Sequence, residues 1–296
     1  MPHFPTTAPI TVTVELVGDV RITASDREDT VVEVRPGDPT KASDVKAAEG
    51  TTVEMTAGHL VIKAPRSWRR FTPFGGHEMV EVAIELPTGS QVTVDSDFGG
   101  IIANGELGTC RITTGMGDVR LDVTGALAAR SGFGSVSVER VQGDAELSTG
   151  SGGIRAEVVE GTVRIKNSNG STTVGEVGGD LRVKAANGDI VVRRACGSAV
   201  AKTACGDVRV LEVERGTVVA ETSAGEVEVG VRPGTAAWID AATRFGRVRN
   251  ALDQGSEPGP TDERAEVRLR TSAGDILISR AATQEAAPAL EANRTR

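Results

Sequence analysis

The chain has 296 residues, a formal charge of −8, 36 Gly, no Tyr and only 3% aromatic residues. So few rings exclude one thick core, which normally draws much of its buried area from aromatic side chains, whereas plentiful Val, Thr and Ala suit thin, evenly layered β-structure. The acidic balance argues against a general nucleic-acid binder, and no run approaches the ~18 apolar residues of a membrane span.

In chain order, ITVTVELV, DVRITA, TVVEVRP, TTVEMT, HLVIKAP and MVEVAIELP read as strands. Gly18-Asp19-Val20 resembles a corner that recurs later. Residues 1–95 are read as an irregular β N-terminal cap, with partly antiparallel strands that shield the first regular rung from edge pairing. The stretch APRSWRRFTPFGGH gathers Arg66, Trp68, Arg69, Arg70, Phe71 and Phe74 in a chain with few aromatic residues. Aromatic rings beside Arg are the composition of interface anchors, so this loop is a candidate interface. The alternative is that its rings fold over the end of the stack, or over Phe98, Met116 and Phe133. The N-terminus shows no basic segment followed by an apolar one, so no secretory leader is read and a cytoplasmic location is expected.

From residue 96 to about 280 one pattern repeats: a small polar residue, two variable positions, Gly, often an acid, then alternating aliphatics. It reads SDFGGII, TGMGDVRL, SGFGSVSV, TGSGGIRA, NSNGSTTV, AANGDIVV, TACGDVRV, TSAGEVEV, TRFGRVRN and TSAGDILI. The intervals between the anchoring glycines, from Gly99 to Gly274, are 18, 17, 18, 18, 18, 18, 19, 21 and 28 residues. Each rung resolves into two strands with one face inward, as in Thr172, Val174, Val177, Leu181 and Val183. The expected fold is therefore all-β: a parallel β-solenoid, or β-helix, of about ten two-strand rungs of ~18 residues. A left-handed hexapeptide helix fails, because six-residue steps from Ile190 reach Cys196 and Lys202 rather than small aliphatics. The lengthening of the last intervals reads as insertions, with a polar loop at 251–264. Residues 281–296 read as a disordered tail.

These rungs resemble a bacterial β-strand-repeat family known by the name "putative adhesin". The resemblance rests on the early Gly18-Asp19-Val20, on the entry IELPTGSQVTV, and on the serial G-D-[VI] corners, and it covers residues 10 to 280. It implies a parallel β-solenoid and a role at a surface. Filament-forming bactofilins are a looser likeness of architecture only.

Chemistry is sparse. The chain lacks a P-loop, HExxH, G-x-S-x-G or CxxC motif, and His3, His59 and His77 are far apart in sequence, so no catalytic residue, cofactor or metal is assigned. Asp95 with Asp97, and the corner residues Asp189, Asp207 and Glu226, have oxygen ligands for a hard cation; acids capping tight turns explain them equally. Of the three cysteines, Cys205 sits at a corner, while Cys110 and Cys196 fall in or beside strand columns.

A basic stripe is less ordinary. Lys166, Lys184 and Lys202 share one outward position on consecutive rungs, with Arg164 and Arg182 two residues earlier. Cations stacked ~4.8 Å apart repel by about 0.9 kcal/mol per pair even in water. The stripe is therefore a candidate anion or partner site; the alternative is a solvated face whose long side chains splay apart. The expected function is a non-catalytic scaffold or interaction protein that presents flat repeat faces to a protein, to itself or to an anionic partner. An envelope-associated adhesin-like module on anionic glycopolymer or membrane and a filament-forming protein are the alternatives. A polysaccharide-active β-helix enzyme fits least, since rings for stacking sugars are missing.

Overall fold

The computed structural model describes residues 2–65, 78–252 and 263–282. Two long β-sheets, one of 14 strands and one of 13, enclose a single hydrophobic core. Each regular rung gives one strand to each sheet. The strand that runs up to the corner glycine lies in the 13-stranded sheet, here called the pre-corner sheet, and the strand after it lies in the other, the post-corner sheet. The Gly170 rung, for example, consists of Val163–Asn169 and Thr172–Val177.

Successive rungs pair in parallel and in register, which turns the sequence period into columns. Val163 and Ile165 lie beside Leu181 and Val183; Thr172 and Val174 lie beside Ile190 and Val192. These inward residues are buried on every regular rung. Small and β-branched side chains suit this geometry, because the two sheets approach closely and each layer interdigitates with the next. No rung can bury its faces alone, so stability belongs to the stack.

The corners explain the glycine. Gly152 has φ +145°, and a Cβ placed on it would sit 2.2 Å from the carbonyl oxygen of Gly134 on the preceding rung. Both the backbone conformation and the close approach demand a residue without a side chain. Three residues before most corners, a hydroxyl donates to that preceding carbonyl. Ser131 Oγ reaches Gly117 O at 3.0 Å, Thr149 Oγ1 reaches Gly134 O at 2.8 Å, and Thr222 Oγ1 reaches Gly206 O at 2.9 Å. This Thr and Ser column thus bonds the turn of the neighbouring rung.

The ends of the stack depart from sequence order. The rung made of Thr11–Leu16 and Val20–Ser25 is not outermost. It lies between His59–Lys63 with Val80–Pro87 on one side and Gln91–Phe98 with Ile101–Leu107 on the other. Beyond it, Asp29–Pro36 pairs antiparallel with Val80–Pro87, His3–Pro5 pairs antiparallel with Asp29–Val31, and Thr52–Thr56 pairs antiparallel with His59–Lys63. The helix Ala42–Glu49, for which the sequence reading made no provision, turns Ala47 into the core.

At the other end the final rung is also tucked in. Arg264–Ala273 lies between Gly216–Ala224 and Ala236–Phe245, and Ile276–Arg280 lies between Val227–Val231 and Val248–Asn250. The long last intervals thus include a change in rung order. A period gives the pitch of a solenoid, and it is silent on which rung follows which in space.

Candidate anion-binding site

The pre-corner sheet carries the basic stripe on its outward face. Inward Val163, Ile165, Leu181 and Val183 are held in the core, so strand alternation fixes Arg164, Lys166, Arg182 and Lys184 on the opposite side, and all four are exposed. Register places Arg164 beside Arg182 and Lys166 beside Lys184. Rungs stack ~4.8 Å apart and alternate residues on a strand are about 6.7 Å apart, so the four charges form a compact two-by-two array.

The stripe continues in register to Lys202, but that ammonium is paired with Glu221 at 2.7 Å. Val200 occupies the place beside Arg182. On the other flank Glu146 stands beside Arg164 and is engaged by Arg130 at 3.0 Å. The array therefore ends on both sides in neutralised pairs. Among the described residues its own four cations make no ion pair, whereas Arg140, Arg193, Arg194, Arg209, Arg232, Arg268 and Arg270 all do. Thr162, Arg164, Asp180, Arg182, Ser198 and Val200 line a shallow depression at the start of these strands. The Asp180 carboxylate there accepts the backbone N–H of Ser198 at 3.1 Å. Four in-register cations with free donors can clamp an extended anion in bidentate fashion through Arg and as point charges through Lys.

The corner carboxylates have structural work. Asp118 Oδ1 accepts the N–H of Ser135, Asp189 Oδ1 that of Asp207, and Asp207 Oδ1 that of Glu226, each at 2.9 Å. Each acid thus ties its rung to the next. Among the described residues no group of three or more His, Cys, Asp or Glu side chains is placed to hold a metal ion.

Phe98, Met116 and Phe133 do stack in one corner column. Met116 and Phe133 are exposed there. The candidate interface loop with Arg66, Trp68, Arg69, Arg70, Phe71 and Phe74 lies outside the described residues. The same holds for 253–262 of the polar loop and for 283–296 of the tail. Cys110 is buried, Cys196 half-buried and Cys205 exposed. Burial pushes the Cys110 thiol up to about 12.

One feature escaped the sequence reading. Trp238, Phe245 and Val248 are all exposed on the Gly246 rung. The signal was present in AAWIDAATRF, where Trp238 stands at an outward position, but only the rung order shows that this strand is an edge.

The Toastrack DUF4097 family model matches residues 8–279. Among solved structures, a "putative adhesin" from Bacteroides fragilis is 11% identical, with 94% of this chain and 95% of that one covered, at a TM-score of 0.40. A "putative adhesin" from Parabacteroides merdae is 11% identical, with 94% of each chain covered, at a TM-score of 0.43. A "putative lipid binding protein" from Parabacteroides distasonis is 12% identical, with 93% and 95% covered, at a TM-score of 0.36. No curated protein matches the sequence.

Proposed function

This chain belongs to the Toastrack DUF4097 family, and on that premise we propose that it is a non-catalytic β-solenoid scaffold that docks an extended anionic partner on its pre-corner sheet. The observation that carries this reading is the array of Arg164, Lys166, Arg182 and Lys184, which no described acid neutralises, in a chain of net charge −8. Four cations held in register by the core repel one another, and the anion that relieves this repulsion gains it as binding energy. The non-catalytic part of the reading is supported by the corner carboxylates, which are engaged with backbone N–H groups.

The test is fluorescence anisotropy with labelled heparin and labelled polyphosphate, alongside sedimentation with phosphatidylserine vesicles, at rising salt. Binding to either soluble polymer with a log–log salt slope that shrinks in Arg182→Glu and Lys184→Glu is the expected result. Arg120→Glu, on the other sheet, serves as the control and leaves binding intact. Binding to vesicles alone moves the partner to a lipid headgroup. Failure of the wild-type protein to bind any of the three at about 50 mM salt overturns the proposal.

A further inference from the structure

The two ends of the solenoid are finished differently. At the N-terminal end the edges are short, His3–Pro5 in one sheet and Thr52–Thr56 in the other, and antiparallel strands and the Ala42–Glu49 helix lie over the last parallel rung. At the opposite end the pre-corner sheet stops, among the described residues, at Ala236–Phe245, a ten-residue strand paired on one side, with Arg264–Ala273. Of the devices that blunt edge strands it carries two charges, Asp240 and Arg244, and neither proline nor lysine.

Its side chains are those of an interior layer. Ala237, Ile239 and Ala241 continue the inward columns of Ala265, Val267 and Leu269. The latter three are at most 3% exposed, while the former are only half-buried, with no further strand over them among the described residues. On the rest of the rung Trp238 is 58% exposed and Phe245 73% exposed. Asp240 is engaged by Arg270. Arg244 is exposed and makes no ion pair among the described residues.

We infer that this end is the interface of a closed two-fold dimer, in which the Ala236–Phe245 strands of two copies pair antiparallel about Ala241. That register is the one the sequence of the strand complements. It sets Trp238 opposite Arg244 of the second copy, twice, a cation–π pairing that uses the exposed ring and the exposed guanidinium. It sets Ile239 opposite Thr243 and Ala241 opposite itself on the inward side, so the open core columns of both copies close on each other. Asp240 faces Ala242, with Arg244 of the second copy diagonal to it. A register centred on Asp240 keeps the same inward side but stacks two carboxylates, which disfavours it. A two-fold axis consumes the open end of both copies, so assembly stops at two.

The experiment is a cross-link in the full chain with Cys196 and Cys205 replaced by Ser. Directly opposed residues in an antiparallel pair have Cα atoms roughly 4.5–5.5 Å apart, which suits a disulfide. Ala241→Cys is therefore expected to form a covalent dimer under copper–phenanthroline, whereas Ala237→Cys, which faces Phe245, does not. Light scattering behind gel filtration should show an elongated dimer for the unmodified chain and a monomer for Trp238→Glu and for Arg244→Glu, each with an unchanged circular dichroism spectrum. A monomer at all concentrations, filaments, a dimer indifferent to Trp238 and Arg244, or equal cross-linking at positions 237 and 241 would each overturn the inference. The outcome is independent of polyanion binding, since the basic array lies on other rungs.

Discussion

The side-chain amide of Asn167 donates to the carbonyl of Gly170 at 2.9 Å while also reaching the carbonyl of Gly152 at 3.2 Å. Elsewhere one hydroxyl serves one corner. The residue beside Asn167 on the next rung is Ala185, which has no hydroxyl to offer Gly170. One amide therefore covers two corners, and its Oδ1 is left buried without a hydrogen-bond partner.

Asn167→Ala leaves two corner carbonyls without their side-chain donor. A buried acceptor that loses its partner costs about 1–3 kcal/mol, so chemical denaturation should show a loss of about 2–4 kcal/mol. The double substitution Asn167→Thr with Ala185→Thr restores one hydroxyl per corner and should recover most of it. A loss below about 0.5 kcal/mol in Asn167→Ala would mean that the corner column contributes little to stability.

Adjacent glycines offer a matched comparison. A Cβ on Gly152 meets Gly134 O at 2.2 Å with φ at +145°, while a Cβ on Gly153 meets nothing nearer than 3.7 Å. Gly152→Ala is expected to destabilise by about 3 kcal/mol or more. Gly153→Ala should be neutral or slightly stabilising, through the unfolded chain. Equal melting temperatures for the two variants would refute the steric account of the corners.

The N-terminal edge strand should be acid-sensitive. Asp29 accepts hydrogen bonds from Arg27 Nε and His3 Nε2, both at 2.7 Å, and the guanidinium foremost holds its pKa at about 2 against an ordinary 3.8. A carboxylate depressed in the folded state adds stability that is complete above its unfolded pKa and is lost as pH falls through the folded one. Hydrogen-exchange protection of Thr30–Val32, where His3–Pro5 docks, should therefore decline between about pH 4 and pH 2. In Asp29→Asn that step should be absent, and its persistence there would assign the acid sensitivity to other groups.

The thiols should separate by reactivity. Cys205 is exposed, whereas Cys110 is buried with its thiol pushed up to about 12. Cys196 is half-buried and also raised, by burial first, with Arg194 opposing it. A maleimide should label Cys205 first, Cys196 slowly and Cys110 only after unfolding. Rapid labelling that survives Cys205→Ser would contradict this order.

The repeat was legible because glycine, hydroxyl and aliphatic columns are each imposed by one local contact that recurs with the rung. Gly152 is required by Gly134, Thr149 serves the same carbonyl, and Val163 packs beside Leu181. The basic array was legible for the same reason: Arg164 and Lys166 are placed by strand alternation, and Arg182 and Lys184 by period. What escaped was set by contacts without a period. The interleaved rungs at both ends depend on which strand a loop returns to, and nothing in RAEVRLRTSA distinguishes a place beside Gly216–Ala224 from one beyond Ala236–Phe245. Lys202 and Glu221 both stand four residues before their corner glycines, so the column they share was legible, whereas the pairing of their side chains depends on rotamers that no period fixes. The helix Ala42–Glu49 has good helix formers in VKAAE, but they lie in a segment dominated by strand signals.

The interleaving of Ile276–Arg280 has a mechanical consequence. An outermost strand under tension peels away one hydrogen bond at a time. This strand is held on both sides, by Val227–Val231 and by Val248–Asn250. A pull on the chain beyond Ala282 must load two ladders together, in shear, before any rung is released. A lashing whose free end is passed under its last turn resists tugging in the same manner, and the solenoid should unravel from that side only at forces that break several rungs at once.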